Sequence, residues 1–153
     1  MKRAEALMRF STRARYGMRA MLDLAINGDD GLVLLKEIAA RQEISKRYLE
    51  HIMTLLRNGG LVLAERGARG GYRLARLPED IRLDEIVEAL EGTITPVDCV
   101  RDPSVCEKAD ECVARELWGE VARAMKGTLE AQTLEDLKRK WESARRATDE
   151  GDG

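Results

Sequence analysis

The sequence predicts a mainly α-helical fold with a small β-hairpin wing: a winged helix-turn-helix domain plus a long C-terminal dimerisation helix. Aromatic residues make up only 4% of the chain and charged residues 35%, a composition that favours helices over a β-sandwich. Two amphipathic helical segments are followed directly by a strand, a glycine-rich turn and another strand. A further long segment with a narrow apolar stripe comes near the C-terminus.

The first two helices are predicted from apolar residues that recur every three or four positions. The first helix is expected to begin after Ser11, a good N-cap residue, and to end near Asn27 and Gly28. A shorter second helix is expected within residues 33–44. Both helices present one apolar face, so we expect them to pack against a common core.

The third helix is expected to begin after Ser45 and to end at the glycine pair Gly59 and Gly60. Its opening residues are basic and polar, while its later apolar residues fall on one face. Two helices joined by a short turn, the second with such an opening, are typical of a helix-turn-helix motif. The third helix is therefore the predicted recognition helix.

The stretch LVLAERGARGGYRLAR predicts two strands joined by a glycine-rich turn. Leu61 and Leu63 in the first strand, and Tyr72 and Leu74 in the second, recur at every second position, as residues on one face of a strand do. Four arginines occupy or flank the turn: Arg66, Arg69, Arg73 and Arg76. A hairpin with arginines at its tip, placed after a recognition helix, is typical of a wing that reaches phosphates or the minor groove. An ordinary surface hairpin is the alternative.

The C-terminal half predicts a fourth helix ending at Gly92 and then an irregular acidic loop that holds Cys99. From Cys112 a long helix carries an apolar residue every four positions, which favours packing on a second copy of the chain. A last helix follows it. The resulting segments are an extension (1–7), the DNA-binding domain (8–92), a cysteine-bearing sensor loop (93–112), dimerisation helices (113–146) and a disordered tail (147–153).

Charge is divided unevenly along the chain, although the net charge is only -2. Residues 1–76 hold 15 basic and 8 acidic side chains, whereas residues 77–153 hold 11 basic and 20 acidic ones. A basic N-terminal half favours a polyanionic partner at that end only. The chain has no P-loop, nucleophile–base pair or paired catalytic carboxylates, so we expect no enzyme activity. No apolar stretch is long enough for a membrane span, so we expect a cytoplasmic protein without a membrane partner.

The three cysteines, Cys99, Cys106 and Cys112, are separated by six and then five residues. This spacing matches neither a zinc ribbon nor a ferredoxin, and an odd number cannot be fully paired in disulfides within one chain. Soft thiolates suit an iron–sulfur cluster, and basic neighbours such as Arg101 and Arg115 would favour their deprotonation. Neighbouring carboxylates oppose it.

Taken together, these residues resemble the IscR-type winged-helix regulators of the Rrf-two superfamily. The matching stretches run in order and cover residues 8 to about 130: MRFSTRARYGMRAMLDLA, LKEIAARQEISKRYLEHIMTLLRNGGLV, RGARGGYRLAR, ITPVDC and the cysteine segment. The resemblance implies a homodimer that binds double-stranded DNA at a palindromic operator and regulates transcription, most simply as a repressor.

The resemblance also implies which side chains contact DNA. They are Ser45, Arg47, Tyr48, Glu50 and His51 on the recognition helix, and Arg66, Arg69, Gly70 and Gly71 in the wing. Ser45, Arg47 and Tyr48 can donate to phosphates at the helix N-terminus. Glu50 can accept from a cytosine amino group, and Arg66 can enter the minor groove or bind guanine. The alternative for Glu50 and His51 is a solvated polar pair.

The resemblance further implies an iron–sulfur cluster, 2Fe–2S or 4Fe–4S, held by Cys99, Cys106 and Cys112. Such a cluster would sense iron–sulfur supply, redox state or nitric oxide. Two departures concern the fourth ligand: Arg115 stands where IscR-type members have a histidine, and Arg15 where the nitric-oxide-sensing branch has an acidic residue.

Other candidates for the fourth ligand are Glu116, Glu5, His51 and an exogenous thiol or water. The alternatives to a cluster are a zinc site, thiols that react directly with oxidants, and a cluster-free regulator that answers to a small molecule or a partner protein. A cluster-carrying redox protein without DNA binding is a further alternative, which the wing arginines disfavour.

Overall fold

The computed structural model of the chain describes residues 10–67 and 70–152. The predicted extension, residues 1–7, lies outside them. In chain order the elements are α1 (Thr12–Asn27), α2 (Leu35–Gln42), α3 (Lys46–Asn58), β1 (Val62–Glu65), β2 (Gly71–Leu74), α4 (Leu83–Glu91), α5 (Asp98–Arg101), α6 (Val113–Glu130) and α7 (Leu134–Gly151). The mainly helical fold with one antiparallel hairpin is therefore confirmed.

The helix starts follow the predicted caps. The Ser11 hydroxyl oxygen accepts a hydrogen bond of 3.1 Å from the backbone N–H of Ala14. At the start of α3 the Ser45 hydroxyl oxygen does the same for Tyr48 at 3.2 Å. Each bond satisfies an N–H group that the helix itself leaves without a partner.

The core lies around α1, which packs against α2, α3, α4 and α7. Its fully buried large side chains come from α1 to α4, from β1 and the residue before it, from the residues that lead into α4 and from the start of α7: Met21, Leu24, Ile38, Leu49, Ile52, Met53, Leu56, Leu61, Val62, Ile81, Ile86 and Leu134. Burial of these apolar surfaces is the main favourable contribution to folding. The same packing fixes the angle at which α3 presents its outer face.

The two strands pair in antiparallel register, with Val62 opposite Leu74. The expected inward pair of Leu61 and Leu63 is wrong, because Leu63 is 43% exposed whereas Leu61 and Val62 are buried. Leu61 lies before the strand, which begins at Val62. Because successive residues of a strand point to opposite faces, the burial of Val62 places Leu63 on the solvent face. Val33 forms an isolated antiparallel β-bridge with β2, since it exchanges backbone hydrogen bonds of 2.9 and 2.8 Å with Tyr72.

The C-terminal half departs from the expectation at three places. Cys99 lies in the one-turn helix α5 rather than in an irregular loop. Helix α7 continues to Gly151, so the tail expected to be disordered from residue 147 is helical over its first five residues. Residues 147–150 include neither proline nor glycine, so nothing in them ends the helix.

The third departure is that α7 begins inside the core of the DNA-binding domain. Leu134 is fully buried, and its N–H donates to the carbonyl oxygen of Ile81 at 2.8 Å. The N–H of Leu83 in turn donates to the carbonyl oxygen of Gln132 at 3.0 Å. The start of α7 therefore pairs with the residues that lead into α4 of the same chain and packs against α1. Within the described residues, no helix has the length and apolar character needed to cross a membrane.

Candidate nucleic-acid interface and cysteine segment

Helix α3 is divided into a buried face and a solvent face. Leu49, Ile52 and Met53 are fully buried, whereas the predicted DNA contacts Ser45, Arg47, Glu50 and His51 are all exposed. Helical spacing explains this division, because residues three and four apart share a face. The structure thus brings these four predicted residues together on one accessible stripe.

Tyr48 differs from the other predicted contacts because it is half-buried. Its ring packs edge-on against the ring of Tyr16 in α1, with 6.0 Å between the centroids. Such a contact adds to the area buried by two aromatic rings. Tyr48 therefore helps to fix α3 against α1, in addition to any contact with a phosphate.

A groove runs between α3, the start of α2 and the wing, and its lining contains charged and polar side chains that the sequence did not single out. Alongside Glu50 and Arg66 it is lined by Lys36, Lys46, Thr54 and Arg57. Lys46, Thr54 and Arg57 belong to the exposed stripe of α3, with Thr54 and Arg57 four and seven residues after Glu50. Helical spacing from Glu50 was the pattern that could have identified them.

Gly70 and Gly71 are required by backbone packing. A Cβ atom on Gly71 would lie 2.6 Å from the carbonyl oxygen of Val33, and one on Gly70 would meet the carbonyl oxygen of Glu65. Gly71 therefore allows the wing to close against the residues before α2, and Gly70 allows the hairpin to turn back on the end of β1. Arg66 is exposed beside this turn. Arg69, the other predicted wing contact, lies outside the described residues.

Arg76 has a structural partner, although it also flanks the wing in sequence. Its guanidinium donates to a carboxylate oxygen of Glu85 at 2.9 Å and to the carbonyl oxygen of Asp80 at 2.9 Å. Burial raises the pKa of Glu85, but the hydrogen bonds from Arg76 and from the Arg82 N–H outweigh it, so that the pKa is lowered. Arg76 thus joins the base of the wing to α4.

The three cysteines are free thiols on the segment between α4 and α6. Cys106 is exposed, whereas Cys99 and Cys112 are half-buried. In residues 10–67 and 70–152, no three cysteine, histidine or carboxylate side chains are gathered as a metal-binding group. The donors are of the type that an iron–sulfur cluster takes, but they are not preassembled, so cluster binding would require this segment to rearrange.

Arg115 contacts the cysteine segment through its guanidinium. Its Nε donates to the carbonyl oxygen of Cys99 at 3.0 Å, which holds α5 against the first turn of α6. An arginine side chain stays protonated and cannot serve as a metal ligand. The carboxylates of Asp110 and Glu116 line the same groove as Cys112, whereas His51 lies on the exposed stripe of α3. Glu5 is outside the described residues.

Comparison with known proteins agrees with this arrangement of helices and wing. A family profile described as "Rrf2: Iron-dependent Transcriptional regulator" matches residues 10–140. Protein rrf2 of Nitratidesulfovibrio vulgaris (strain Hildenborough) is 43% identical over 132 residues, which are 86% of this chain and 88% of that protein.

Two solved structures have a similar fold. T. potens IscR has a TM-score of 0.73 at 38% identity, with 93% of each chain covered. CymR (YrzC), the global cysteine regulator of B. subtilis, has a TM-score of 0.71 at 41% identity, covering 87% of this chain and 98% of that one.

Proposed function

The chain belongs to the Rrf2 family of transcriptional regulators, and we propose that it is a homodimeric repressor whose affinity for DNA depends on the state of its three cysteines. As a member of this family it is a DNA-binding winged-helix regulator and not an enzyme. The proposal adds the operator symmetry, the dimer, the sensing group and a cytoplasmic location, where bacterial DNA is found.

The observation that carries the DNA-binding part is the groove between α3 and the wing. Lys36, Lys46, Arg57 and Arg66 line it and can neutralise phosphates, which supplies affinity without sequence preference. Glu50 is one of two acidic residues in this mainly basic lining, the other being Glu65 at the end of β1. We assign Glu50 to base reading, because a carboxylate can accept a hydrogen bond from a cytosine amino group and is repelled by phosphates.

The dimer is supported by the apolar side chains that α6 leaves exposed. Val113 is 78% exposed, Leu117 51% and Trp118 37%, and all three lie within the first two turns of α6. A contiguous apolar surface of this kind is typical of a protein interface. Two copies related by a two-fold axis would present two α3 helices, which fits a palindromic operator.

The cysteine segment is the proposed sensing element. Cys99, Cys106 and Cys112 would hold an iron–sulfur cluster, which when bound supplies a group sensitive to oxidants, nitric oxide or iron–sulfur supply. Cys112 immediately precedes α6, so any rearrangement of the segment acts directly on the start of that helix. The chain's own contribution is to transmit this change through α6 to the spacing of the two DNA-binding domains.

Anaerobic purification followed by reconstitution with iron and sulfide tests the cluster. The wild-type protein should become coloured, and native mass spectrometry should give the mass of one cluster per chain. Cys106→Ala should stay colourless, while Ser104→Ala, an exposed substitution in the same segment, should behave as the wild type. A colourless wild type after reconstitution would exclude the cluster.

A cluster-free thiol regulator is the second candidate. It is favoured by the dispersed arrangement of the thiols in the described chain and by Arg115, which occupies the start of α6 without being a ligand. In that case hydrogen peroxide should change operator affinity in protein that contains no iron. Cys106→Ala should abolish that response, because Cys106 is the most accessible of the three thiols.

A further inference from the structure

A second groove, distant in sequence from the cysteines, lies between α1, the end of α2 and α7. Arginines from three different helices line it: Arg19, Arg41 and Arg145. Its apolar surface comes from Trp141, which is 36% exposed, and from Leu22 and Ile26. Neither the DNA-binding surface nor the cysteine segment uses these residues.

Each of the three guanidinium groups is held by a separate contact. Arg41 donates two hydrogen bonds, of 2.9 and 2.7 Å, to the fully buried carboxylate of Asp23, which raises the pKa of Arg41. Arg19 donates to the side chain and the backbone carbonyl of Gln42. Arg145 lies over the Trp141 ring, 5.2 Å from its centroid. These contacts limit the rotamers that each arginine can adopt.

The same contacts leave donors available. Those of Arg41 and Arg19 use Nε and one terminal nitrogen, and the stacking of Arg145 uses the face of its guanidinium. A guanidinium has five N–H donors, so each arginine retains N–H groups for a further acceptor. Because these arginine side chains are already held in place, binding a ligand costs less conformational entropy. Two or three guanidinium groups in one groove favour an anion, since they can donate charge-assisted hydrogen bonds to it.

We infer that this groove binds a small molecule that carries a carboxylate or phosphate on a flat apolar body. The anionic group would contact Arg145 and the free nitrogens of Arg19 and Arg41. The flat body would lie against Trp141 and the apolar side chains of α1. Because Arg41 lies in the last turn of α2, the first helix of the helix-turn-helix, an occupant would contact the DNA-binding domain directly. This input is independent of the cysteine chemistry.

Binding is tested with phenyl phosphate, which combines both features, against benzyl alcohol, which keeps only the ring, and inorganic phosphate, which keeps only the charge. The chain has two tryptophans, so Trp118→Phe leaves Trp141 as the sole tryptophan emitter. Phenyl phosphate should change this emission saturably and bind at least about tenfold more tightly than either comparison compound. Calorimetry on the wild-type protein provides a reading that does not depend on tryptophan.

Arg145→Ala should weaken phenyl phosphate binding by about tenfold or more, measured by calorimetry. Arg146→Ala removes an equal charge from the neighbouring exposed position, outside the groove, and should leave the affinity unchanged. Circular dichroism checks that both variants are folded. Absence of saturable binding, equal binding of benzyl alcohol or inorganic phosphate, or equal effects of the two substitutions would each overturn the inference.

Discussion

The Nε of Arg115 donates a hydrogen bond of 3.0 Å to the carbonyl oxygen of Cys99, sixteen residues earlier in the chain. One side chain of α6 therefore holds the backbone of the segment that carries the first thiol. We predict that Arg115→Ala loosens this segment. Backbone amides of residues 98–106 should then exchange with solvent faster, and Cys99 should react faster with a thiol reagent.

Arg123→Ala is the matched control for Arg115, because Arg123 lies on α6 and lines the same groove. It should change neither the exchange of residues 98–106 nor the reactivity of Cys99. If the two variants were indistinguishable from the wild type, Arg115 would not fasten the segment.

Substitution of Arg66 tests the wing. Arg66→Ala should weaken binding to an operator selected from random DNA and should lower the slope of affinity against salt by about one, because one phosphate contact is lost. Titrations at several salt concentrations measure both. Lys140→Ala, on α7 and outside the groove, should leave the slope unchanged.

A charge on the exposed seam of α6 tests the dimer. Leu117→Glu should shift the protein toward monomers in sedimentation experiments, because burying an unpaired carboxylate is costly. A point substitution is preferable to truncation of α6, since truncation would also remove Leu134 from the core. Arg146→Glu, on an exposed position of α7, is the control. Dimers that persist in Leu117→Glu would place the interface elsewhere.

The close approach of the wing to Val33 predicts a cost for a single methyl group. Gly71→Ala should lower the free energy of unfolding by about 1–3 kcal/mol, because the new Cβ would overlap the Val33 carbonyl group. Gly127→Ala in α6 has open space around its Cβ. This substitution should raise the free energy of unfolding by about 0.5–1 kcal/mol, because alanine favours a helix more than glycine does. Urea unfolding measures both, and equal effects would contradict the role given to Gly71.

The pair of Arg76 and Glu85 predicts a dependence of stability on pH. The pKa of Glu85 is lowered from its ordinary value of 4.5. The stabilisation is therefore complete above pH 4.5 and is lost as the pH falls through the folded-state pKa. Glu85→Gln should cost up to about 1 kcal/mol at pH 7, and its difference from the wild type should shrink in acid. Glu79→Gln, on an exposed neighbour, should show no such convergence in urea unfolding at the two pH values.

The helix-turn-helix and wing were predictable because each depends on local residues. Ser11 and Ser45 cap the expected helices, and the glycines after Asn58 end α3 where expected. Helical periodicity likewise separated Leu49 and Ile52 from the exposed stripe. These features require only short-range spacing and capping chemistry.

Long-range contacts were the part that the sequence did not reveal. Asp23 is fully buried because Arg41, eighteen residues away, neutralises it, and no pattern within α1 indicates that partner. Leu134 was assigned to a dimerisation segment because its neighbours alone do not show that it packs beside Ile81. Lys36 was missed for the same reason, since α2 approaches α3 only in the folded chain.

The burial of Leu134 makes the DNA-binding domain discontinuous in sequence. Its core is completed by residues that are synthesised after the cysteine segment and α6, so that these two elements form an insertion with both ends anchored in one folding unit. An insertion tied at both ends cannot move as a free appendage. A rearrangement of the cysteine segment therefore acts on α4 at one end of the insertion as well as on α6. A fragment that stops before α6 lacks Leu134, which is part of the core of the DNA-binding domain.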